Sequence, residues 1–175
     1  MTDTNLTERA CMIKLAAFDV DGVMTDGTIY YNDQGSELKA FNILDGMGIK
    51  LLQKSGVKIA IITGRSSDVV SKRAKELNVD FLMQGREDKL VALTEIVKSL
   101  ELSLKEVAYL GDDLPDLPAI CAAGLGMTVP NGSGFVKKKA DGVTKSSGGK
   151  GAVREFCELI MHAQGTLSQQ LAEYL

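Results

Sequence analysis

The fold is decided by residues 13–23, which read IKLAAFDVDGV. Six mostly apolar residues, 13–18, are followed at once by a polar cluster, which is the pattern of a buried parallel strand that ends in a loop. In open sheets of parallel strands, ligands bind beyond the carboxyl ends of the strands. We therefore expect Asp19 and Asp21 to lie at such a site.

Similar apolar runs recur along the chain and alternate with helical patterns. The further predicted strands are 57–62, 81–83, 107–110 and 125–129, and the predicted helices are 46–55, 67–77, 89–100 and 152–164. In the first helix, we expect Met47, Leu51 and Leu52 to lie on the buried face. The alternation predicts an α/β fold of the Rossmann-like kind, with a mostly parallel sheet and helices on both faces.

Residues 28–41 interrupt this alternation. Two short β-like runs flank Asn32-Asp33-Gln34-Gly35, which predicts a short β-hairpin inserted after the first strand. A larger domain could carry a lid at this point, whereas here the insertion is small. An exposed hairpin edge is also a natural surface for assembly.

The composition narrows the class of protein. A length of 175 residues, 45% of them hydrophobic, suits one domain over 1–175 with a C-terminal tail at about 166–175. A net charge of −3, with four Tyr, five Phe and no Trp, argues against a nucleic-acid or membrane surface. The three cysteines have no CxxC spacing, and we expect them to be small buried thiols in a reduced cytoplasm.

Polar side chains follow several of the predicted strands. The loops begin Asp19-Val20-Asp21-Gly22, Thr63-Gly64-Arg65 and Gly111-Asp112-Asp113, the last continuing to Asp116, and Lys89 begins a predicted helix. Carboxylates gathered at one edge repel one another unless a divalent cation lies among them, and oxygen ligands without a Cys or His cluster suit Mg²⁺. A cation, a hydroxyl and a lysine around one point form a phosphoryl-binding pocket.

The first of these loops also suggests separate catalytic roles for its two aspartates. Asp19 and Asp21 are two residues apart, so in extended backbone both side chains point the same way. One of them can then act as nucleophile while the other transfers protons. Asp-Gly and Asp-Asp pairs are also common turn residues, but the whole ordered set favours a functional interpretation.

These motifs resemble those of the haloacid dehalogenase superfamily of phosphohydrolases. The resemblance rests on DVDGV at 19–23, on IITG at 61–64, on Lys89 and on GDDLPD at 111–116. Three further stretches, 21–27 (DGVMTDG), 41–48 (FNILDGMG) and 148–155 (GGKGAVRE), resemble a small capless subgroup that acts on sugar-acid phosphates. Met24 stands where Leu is more usual, which is a mild hydrophobic change.

The resemblance implies a reaction, namely Mg²⁺-dependent hydrolysis of 3-deoxy-D-manno-octulosonate 8-phosphate in lipopolysaccharide biosynthesis. Asp19 would form an aspartyl-phosphate, and Asp21 would first protonate the leaving sugar oxygen and then deprotonate water. Thr63 and Lys89 would hold the phosphoryl oxygens. The Asp19 carboxylate, the main-chain carbonyl of Asp21 and Asp112 would bind Mg²⁺.

Other residues have less defined expectations. Asp113 is expected to orient a metal-bound water or Lys89, and Asp116 either serves the site or caps the next helix. Gly64 and Arg65 lie beside Thr63, so Arg65 is a candidate for binding a substrate carboxylate, with Arg86 as a second.

The resemblance also implies a homotetramer in which the hairpins meet centrally and neighbouring subunits close each active site. The tail can then reach a neighbouring site or form a terminal helix. Other functions stay open: a phosphatase for a sialic-type sugar-acid 9-phosphate or another small phosphate monoester, a phosphoacceptor receiver-like domain, and a non-catalytic binding module.

Overall fold

The computed structural model describes residues 3–175, and its central feature is a sheet of six parallel strands in the order β5-β4-β1-β6-β7-β8. A separate antiparallel hairpin pairs β2 with β3. The strands are β1 (Leu15–Phe18), β2 (Tyr30–Tyr31), β3 (Glu37–Leu38), β4 (Lys58–Ile62), β5 (Phe81–Met83), β6 (Val107–Leu110), β7 (Leu125–Thr128) and β8 (Gly142–Val143).

Helices cover both faces of this sheet. They are α1 (Asp3–Cys11), α2 (Ile43–Lys54), α3 (Asp68–Glu76), α4 (Lys89–Ser99), α5 (Leu117–Ala122), α6 (Gly134–Lys137), α7 (Ala152–Ala163) and α8 (Leu167–Ala172). Short 3₁₀ turns occupy Leu104–Glu106 and Leu114–Asp116. No helix among residues 3–175 is long and apolar enough to cross a membrane.

The alternation of side chains along β1 divides the core in two. Ala16 and Phe18 pack into a cluster with residues of α1, α2, α3 and α7, whereas Leu15 and Ala17 pack into one with α4, α5 and α6. Successive side chains of a strand point to opposite faces, so a strand buried on both faces reads as a continuous apolar run. The predicted α/β fold, with a mostly parallel sheet between two helical layers, is confirmed.

Helix α2 begins earlier than the sequence predicts, and one residue of its predicted buried face, Met47, lies outside the core. Its N-cap is Asn42, whose side chain accepts a hydrogen bond of 2.8 Å from the Leu44 amide. Leu51 and Leu52 are buried as expected, but Met47 is 37% exposed. The reason is the close approach of Gly48 to α7, where a Cβ on Gly48 would lie 2.8 Å from the Arg154 Cα.

Several short elements escape prediction. Helices α1 and α6 and strand β8 were not expected, because such short segments carry too little periodicity to be identified. Helix α8 is the terminal helix that was one of the two alternatives for the tail, and α5 is the helix expected after Asp116. The hairpin forms at the expected place, with the Asn32 side chain accepting hydrogen bonds from the amides of Gln34 and Ser36.

The prediction of three buried thiols was wrong for two of them. Cys157 is buried in α7, but Cys11 and Cys121 are exposed. Cys11 lies at the end of α1, where its thiol donates to the Ala163 carbonyl at 3.0 Å. Cys121 occupies an outward position of the short helix α5.

Candidate active site

The carboxyl ends of three neighbouring strands converge on one cavity. In the sheet, Phe18 at the end of β1 pairs with Ile61 of β4 and with Leu110 of β6. The loops that follow these strands therefore begin side by side. They contribute to a cavity of about 250 Å³, lined by Asp19, Asp21, Thr63, Gly64, Arg65, Glu87, Lys89, Asp112, Asp113, Pro115 and Asp116.

Lys89 is the buried cation of this cavity. It is the first residue of α4 and is 4% exposed, with its Nζ 2.9 Å from Asp19 Oδ1 and 2.6 Å from Asp116 Oδ1. Burial acts to lower the pKa of Lys89, but the two carboxylates outweigh it and raise that pKa above its ordinary value. Lys89 is therefore a positive charge in the protein interior.

Asp116 organises the loop after β6. Its Oδ1 also accepts a hydrogen bond of 2.8 Å from the Tyr109 hydroxyl, and its Oδ2 accepts from the amides of Asp112 and Asp113 at 3.1 and 3.2 Å. Asp116 thus holds Lys89 and closes the 3₁₀ turn of which it is the last residue. Its side chain makes no capping hydrogen bond to the next helix, α5. Asp113, by contrast, is exposed, and it is Asp19 and Asp116 that contact Lys89.

Three carboxylates lie close enough to share a metal ion. One oxygen from each of Asp19, Asp112 and Asp116 falls within 4.8 Å of the others. Burial and the charge of Asp116 raise the pKa of Asp19, and the same two causes raise the pKa of Asp112 to about 6, although Lys89 opposes both shifts. Excess negative charge of this kind is what a divalent cation relieves.

The residues present fit such an ion. Asp116 already accepts hydrogen bonds on both oxygens, which leaves the carboxylates of Asp19 and Asp112 as the available ligands. Gly22 allows Asp112 to approach the first loop, because a Cβ at this position of φ +92° would lie 2.1 Å from Asp112 Oδ2. The Asp21 carboxylate lies outside this cluster.

The side chain of Asp21 is held by cations instead. Lys39 Nζ contacts its Oδ1, and Arg65 Nε lies 3.8 Å from its Oδ2. The same two cations contact Glu37, at 3.2 Å and 2.7 Å respectively. Sequence reasoning missed Glu37 and Lys39, although charged residues at alternate positions of a predicted strand do share one face.

Other predicted residues have different surroundings. Thr63 is buried at the end of β4, and its hydroxyl accepts a hydrogen bond of 3.4 Å from the Arg65 amide. Arg86 lies outside the cavity, where its guanidinium pairs with Asp88 at 2.7 Å and with Glu95 at 2.9 Å. Helix α4 carries Glu95 on its outer side and so draws Arg86 away from the strand ends.

A second loop supports the backbone after β1. The Gly149 amide donates to the Val23 carbonyl at 2.9 Å. Asn131, a residue that sequence reasoning missed, donates to the Gly22 carbonyl at 2.9 Å and accepts from the Gly148 amide at 2.8 Å. The glycine-rich segment 148–151 therefore shapes the rim of the site, as a Cβ on Gly148 would lie 1.8 Å from the Gly22 carbonyl oxygen.

A buried aspartate at the end of the first strand, beside a lysine and a second acidic loop, defines the class of haloacid dehalogenase-like hydrolases. The model of that family matches residues 81–156. A 3-deoxy-D-manno-octulosonate 8-phosphate phosphatase of Yersinia pestis is 47% identical over 93% of this chain and 87% of its own length. The enzyme of the same name from Escherichia coli K12 is 43% identical, over 90% of this chain and 84% of its own.

Comparison with solved structures indicates the same family. The crystal structure of 3-deoxy-D-manno-octulosonate 8-phosphate phosphatase from Moraxella catarrhalis, in complex with a magnesium ion, a phosphate ion and the sugar acid, superimposes with a TM-score of 0.97. It is 48% identical, and the match covers 98% of this chain and 99% of the other. The present chain belongs to the family of 3-deoxy-D-manno-octulosonate 8-phosphate phosphatases within the haloacid dehalogenase-like hydrolases.

Proposed function

We propose that this protein is a Mg²⁺-dependent phosphatase that hydrolyses 3-deoxy-D-manno-octulosonate 8-phosphate to the free sugar acid and phosphate in lipopolysaccharide biosynthesis. The observation that carries the proposal is the buried Asp19 carboxylate, 2.9 Å from Lys89 Nζ and beside Asp112. The Moraxella catarrhalis relative, crystallised with magnesium, phosphate and the sugar acid, supports the same ligands here.

The metal would be held by the carboxylates of Asp19 and Asp112 and by the main-chain carbonyl of Asp21. Bound there, Mg²⁺ supplies positive charge that offsets the repulsion between the substrate phosphate and the acidic residues. Asp116 is assigned to Lys89 instead, because its oxygens are already occupied by hydrogen bonds from the chain. In this assignment, Asp112 of the loop after β6 binds the metal, and Asp116 of the same loop binds Lys89.

The covalent chemistry falls to the two aspartates after β1. An oxygen of Asp19 attacks phosphorus while the bond from phosphorus to the sugar oxygen breaks, and Asp21 gives its proton to that leaving oxygen. Asp21 then takes a proton from the water that attacks the aspartyl-phosphate, which restores the Asp19 carboxylate. Lys89 and the Thr63 hydroxyl contact the phosphoryl oxygens, where Lys89 balances their charge.

The substrate carboxylate is assigned to Arg65, which lines the cavity at the end of β4 with Gly64. A guanidinium matches a carboxylate with two parallel hydrogen bonds. Arg86 would take part only if its pairs with Asp88 and Glu95 opened.

The assembly proposed for this enzyme is a homotetramer that closes its active sites between subunits. Large apolar side chains are exposed on the hairpin and at the start of α2, among them Tyr30 (46%), its cross-strand neighbour Leu38 (59%) and Ile43 (81%). Clustered exposed apolar side chains typically mark an interaction surface. We place the enzyme in the cytoplasm, since its three cysteines lack CxxC spacing. We treat the chain as one hydrolase domain, since both core clusters share one sheet.

The test is an assay of phosphate release with Mg²⁺ or with EDTA. We expect strong preference for 3-deoxy-D-manno-octulosonate 8-phosphate over a sialic-acid 9-phosphate and nucleoside monophosphates, and loss of activity with EDTA. Equal weak activity on all of these phosphates would contradict the proposed substrate preference. Durable phosphorylation of the protein without turnover would indicate a receiver-like domain.

A variant of the nucleophile tests the mechanism. Asp19→Asn removes the attacking carboxylate while keeping its size, so we expect turnover to fall by about 10³-fold or more. Asp80→Asn, which changes an aspartate that pairs with Lys58 at the amino end of β4, is the matched control and should retain activity. Near-native hydrolysis by Asp19→Asn would mean that another residue is the nucleophile.

A further inference from the structure

The main chain of Gly22 adjoins both acidic segments that would bind the metal. Its amide belongs to the same peptide group as the Asp21 carbonyl, which is a proposed ligand, and a Cβ at Gly22 would overlap the Asp112 carboxylate. Gly22 has φ +92°, a conformation that glycine allows but does not impose, because glycine populates many backbone conformations. Hydrogen bonds from other residues are therefore needed to fix this part of the loop.

Gly22 is held by one hydrogen bond on its amide and another on its carbonyl. The amide donates to Thr25 Oγ1 at 3.4 Å within the same loop. The carbonyl accepts a hydrogen bond of 2.9 Å from Asn131 Nδ2, which lies in the loop after β7, 109 positions along the chain. A peptide group is planar, so the direction of the Gly22 amide sets that of the Asp21 carbonyl. The bond from Asn131 fixes the other side of Gly22.

The loop that carries Asn131 also contacts two other parts of the site. Asn131 Oδ1 accepts a hydrogen bond of 2.8 Å from the Gly148 amide, so one side chain joins the loop after β1 to the glycine-rich rim. Two residues after Asn131, the Ser133 amide donates to the Asp112 carbonyl at 2.8 Å. The loop after β7 therefore binds the main chain of both Gly22 and Asp112, and it limits how far the two acidic segments can separate.

We propose that Asn131 is a positioning residue for the magnesium site. Its side chain does not bind the metal but holds the Gly22 carbonyl, and so keeps the Asp21 carbonyl at a fixed separation from the Asp112 carboxylate. Without Asn131, the main chain at Gly22 gains conformational freedom that metal binding then has to remove. This inference rests on the proposed function, because it uses the metal ligands assigned there.

The experiment measures the Kd for Mg²⁺ by titration calorimetry of the whole protein. It also measures kcat on 3-deoxy-D-manno-octulosonate 8-phosphate as a function of Mg²⁺ concentration. Asn131→Ala removes both hydrogen bonds of the side chain. Its matched control is Gln53→Ala, because the Gln53 amide also donates to a main-chain carbonyl, that of Asn78 at 2.7 Å, near the amino end of β4.

Asn131→Ala should raise the Kd for Mg²⁺ by about 10-fold, the lower end of the effect of outer-shell partners of a metal. Because the side chains of the proposed ligands are unchanged, saturating Mg²⁺ should restore most of the wild-type kcat. Gln53→Ala should leave the Kd and kcat unchanged. A role confined to stability would leave the Kd of the folded protein as it is in the wild type.

A second variant moves the Gly22 carbonyl while keeping the Asn131 side chain. The Cβ added in Gly148→Ala would overlap the Gly22 carbonyl oxygen, so this carbonyl must shift, and the Kd for Mg²⁺ should rise by a similar factor. Gly134→Ala is the matched control, because no atom lies within 4 Å of the Cβ added there. It should bind Mg²⁺ as the wild type does.

A Kd in Asn131→Ala equal to the wild type's would overturn the inference, even if urea denaturation showed a loss of stability, and would make Asn131 purely structural. If Gly148→Ala does not fold by circular dichroism, Asn131→Ala decides alone. Failure of the proposed function looks different. A wild-type protein that binds Mg²⁺ but releases no phosphate from the sugar-acid phosphate contradicts that function, and the Kd values still decide the role of Asn131.

Discussion

Asp112 is a buried carboxylate whose protonation competes with metal binding. Its pKa is raised to about 6 by burial and by the charge of Asp116, and a metal ligand must be deprotonated to bind. An acid whose pKa is raised takes up its proton as the pH falls through that value. Mg²⁺ affinity should therefore weaken as the pH falls below 6.

We predict that the apparent Kd for Mg²⁺ rises at least about 10-fold for each pH unit below 6, because a proton on Asp112 competes with the metal and the raised pKa of Asp19 adds to that competition. Titration calorimetry of the whole protein at pH 5 and pH 7.5 measures this change. Asp112→Asn should weaken binding by roughly 100-fold at pH 7.5, since even outer-shell partners of a metal contribute 10–100-fold, and by less at pH 5, where the wild-type Asp112 is already largely protonated.

The control for this experiment is Asp80→Asn, because Asp80 pairs with Lys58 at the other end of the sheet. It should bind Mg²⁺ as the wild type does. An affinity in Asp112→Asn that equals the wild type's would remove Asp112 from the ligands.

At the scale of elements, the packing of α2 against α7 sets the position of the loop at the rim of the site. Gly48 lies at the contact, where a Cβ would be 2.8 Å from the Arg154 Cα and 3.0 Å from its Cδ. Asp45, one turn earlier, accepts a hydrogen bond of 2.9 Å from the Arg154 amide at the start of α7. The segment 148–151 leads directly into this helix.

Gly48→Ala should therefore destabilise the protein. Alanine gains about 1 kcal/mol over glycine within a helix, but forcing a methyl group into packed backbone costs about 1–3 kcal/mol. We expect a net loss of up to about 2 kcal/mol in the free energy of unfolding. Urea denaturation with an unchanged m-value measures it.

Gly134→Ala is the matched control, because Gly134 begins α6 with no atom within 4 Å of the added Cβ. Its stability should equal or exceed that of the wild type. If Gly48→Ala were equally stable, the two helices would have room to separate, and their close approach would not constrain the rim.

At the scale of the whole molecule, the hairpin contributes residues both to the proposed interface between subunits and to the active site. Its outer side carries the exposed and directly paired Tyr30 and Leu38, while Glu37 and Lys39 from the same segment reach the site. Adjacent residues of a strand point to opposite sides, which explains how one short segment serves both purposes.

Leu38→Glu should disrupt the proposed tetramer, because it places a charge in an apolar contact between subunits. We expect sedimentation velocity to detect smaller species, and kcat/KM to fall with them if neighbouring subunits close the active site. Val91→Glu introduces the same charge at an exposed valine of α4 and should leave the assembly intact. Unchanged sedimentation of Leu38→Glu would contradict an interface at this edge of the hairpin.

The sequence by itself determined five of the six strands of the sheet and the residues at its carboxyl edge. The apolar runs before Asp19, Thr63 and Gly111 identify buried strands, and parallel strands bring their carboxyl ends to one edge. Lys89 could be assigned for a similar reason, since it begins the helix that follows β5. These inferences depend on local periodicity, which a single sequence displays directly.

Only the tertiary structure decided which charges pair with one another. It joined Asp116 to Lys89, 27 positions apart, and Lys39 to Asp21, 18 positions apart, whereas it turned Arg86 toward Glu95 on the outside. The sequence carries no period for such contacts. They depend on where the hairpin folds over the sheet and on which side chains burial leaves without water, so the physical reason is packing between distant segments.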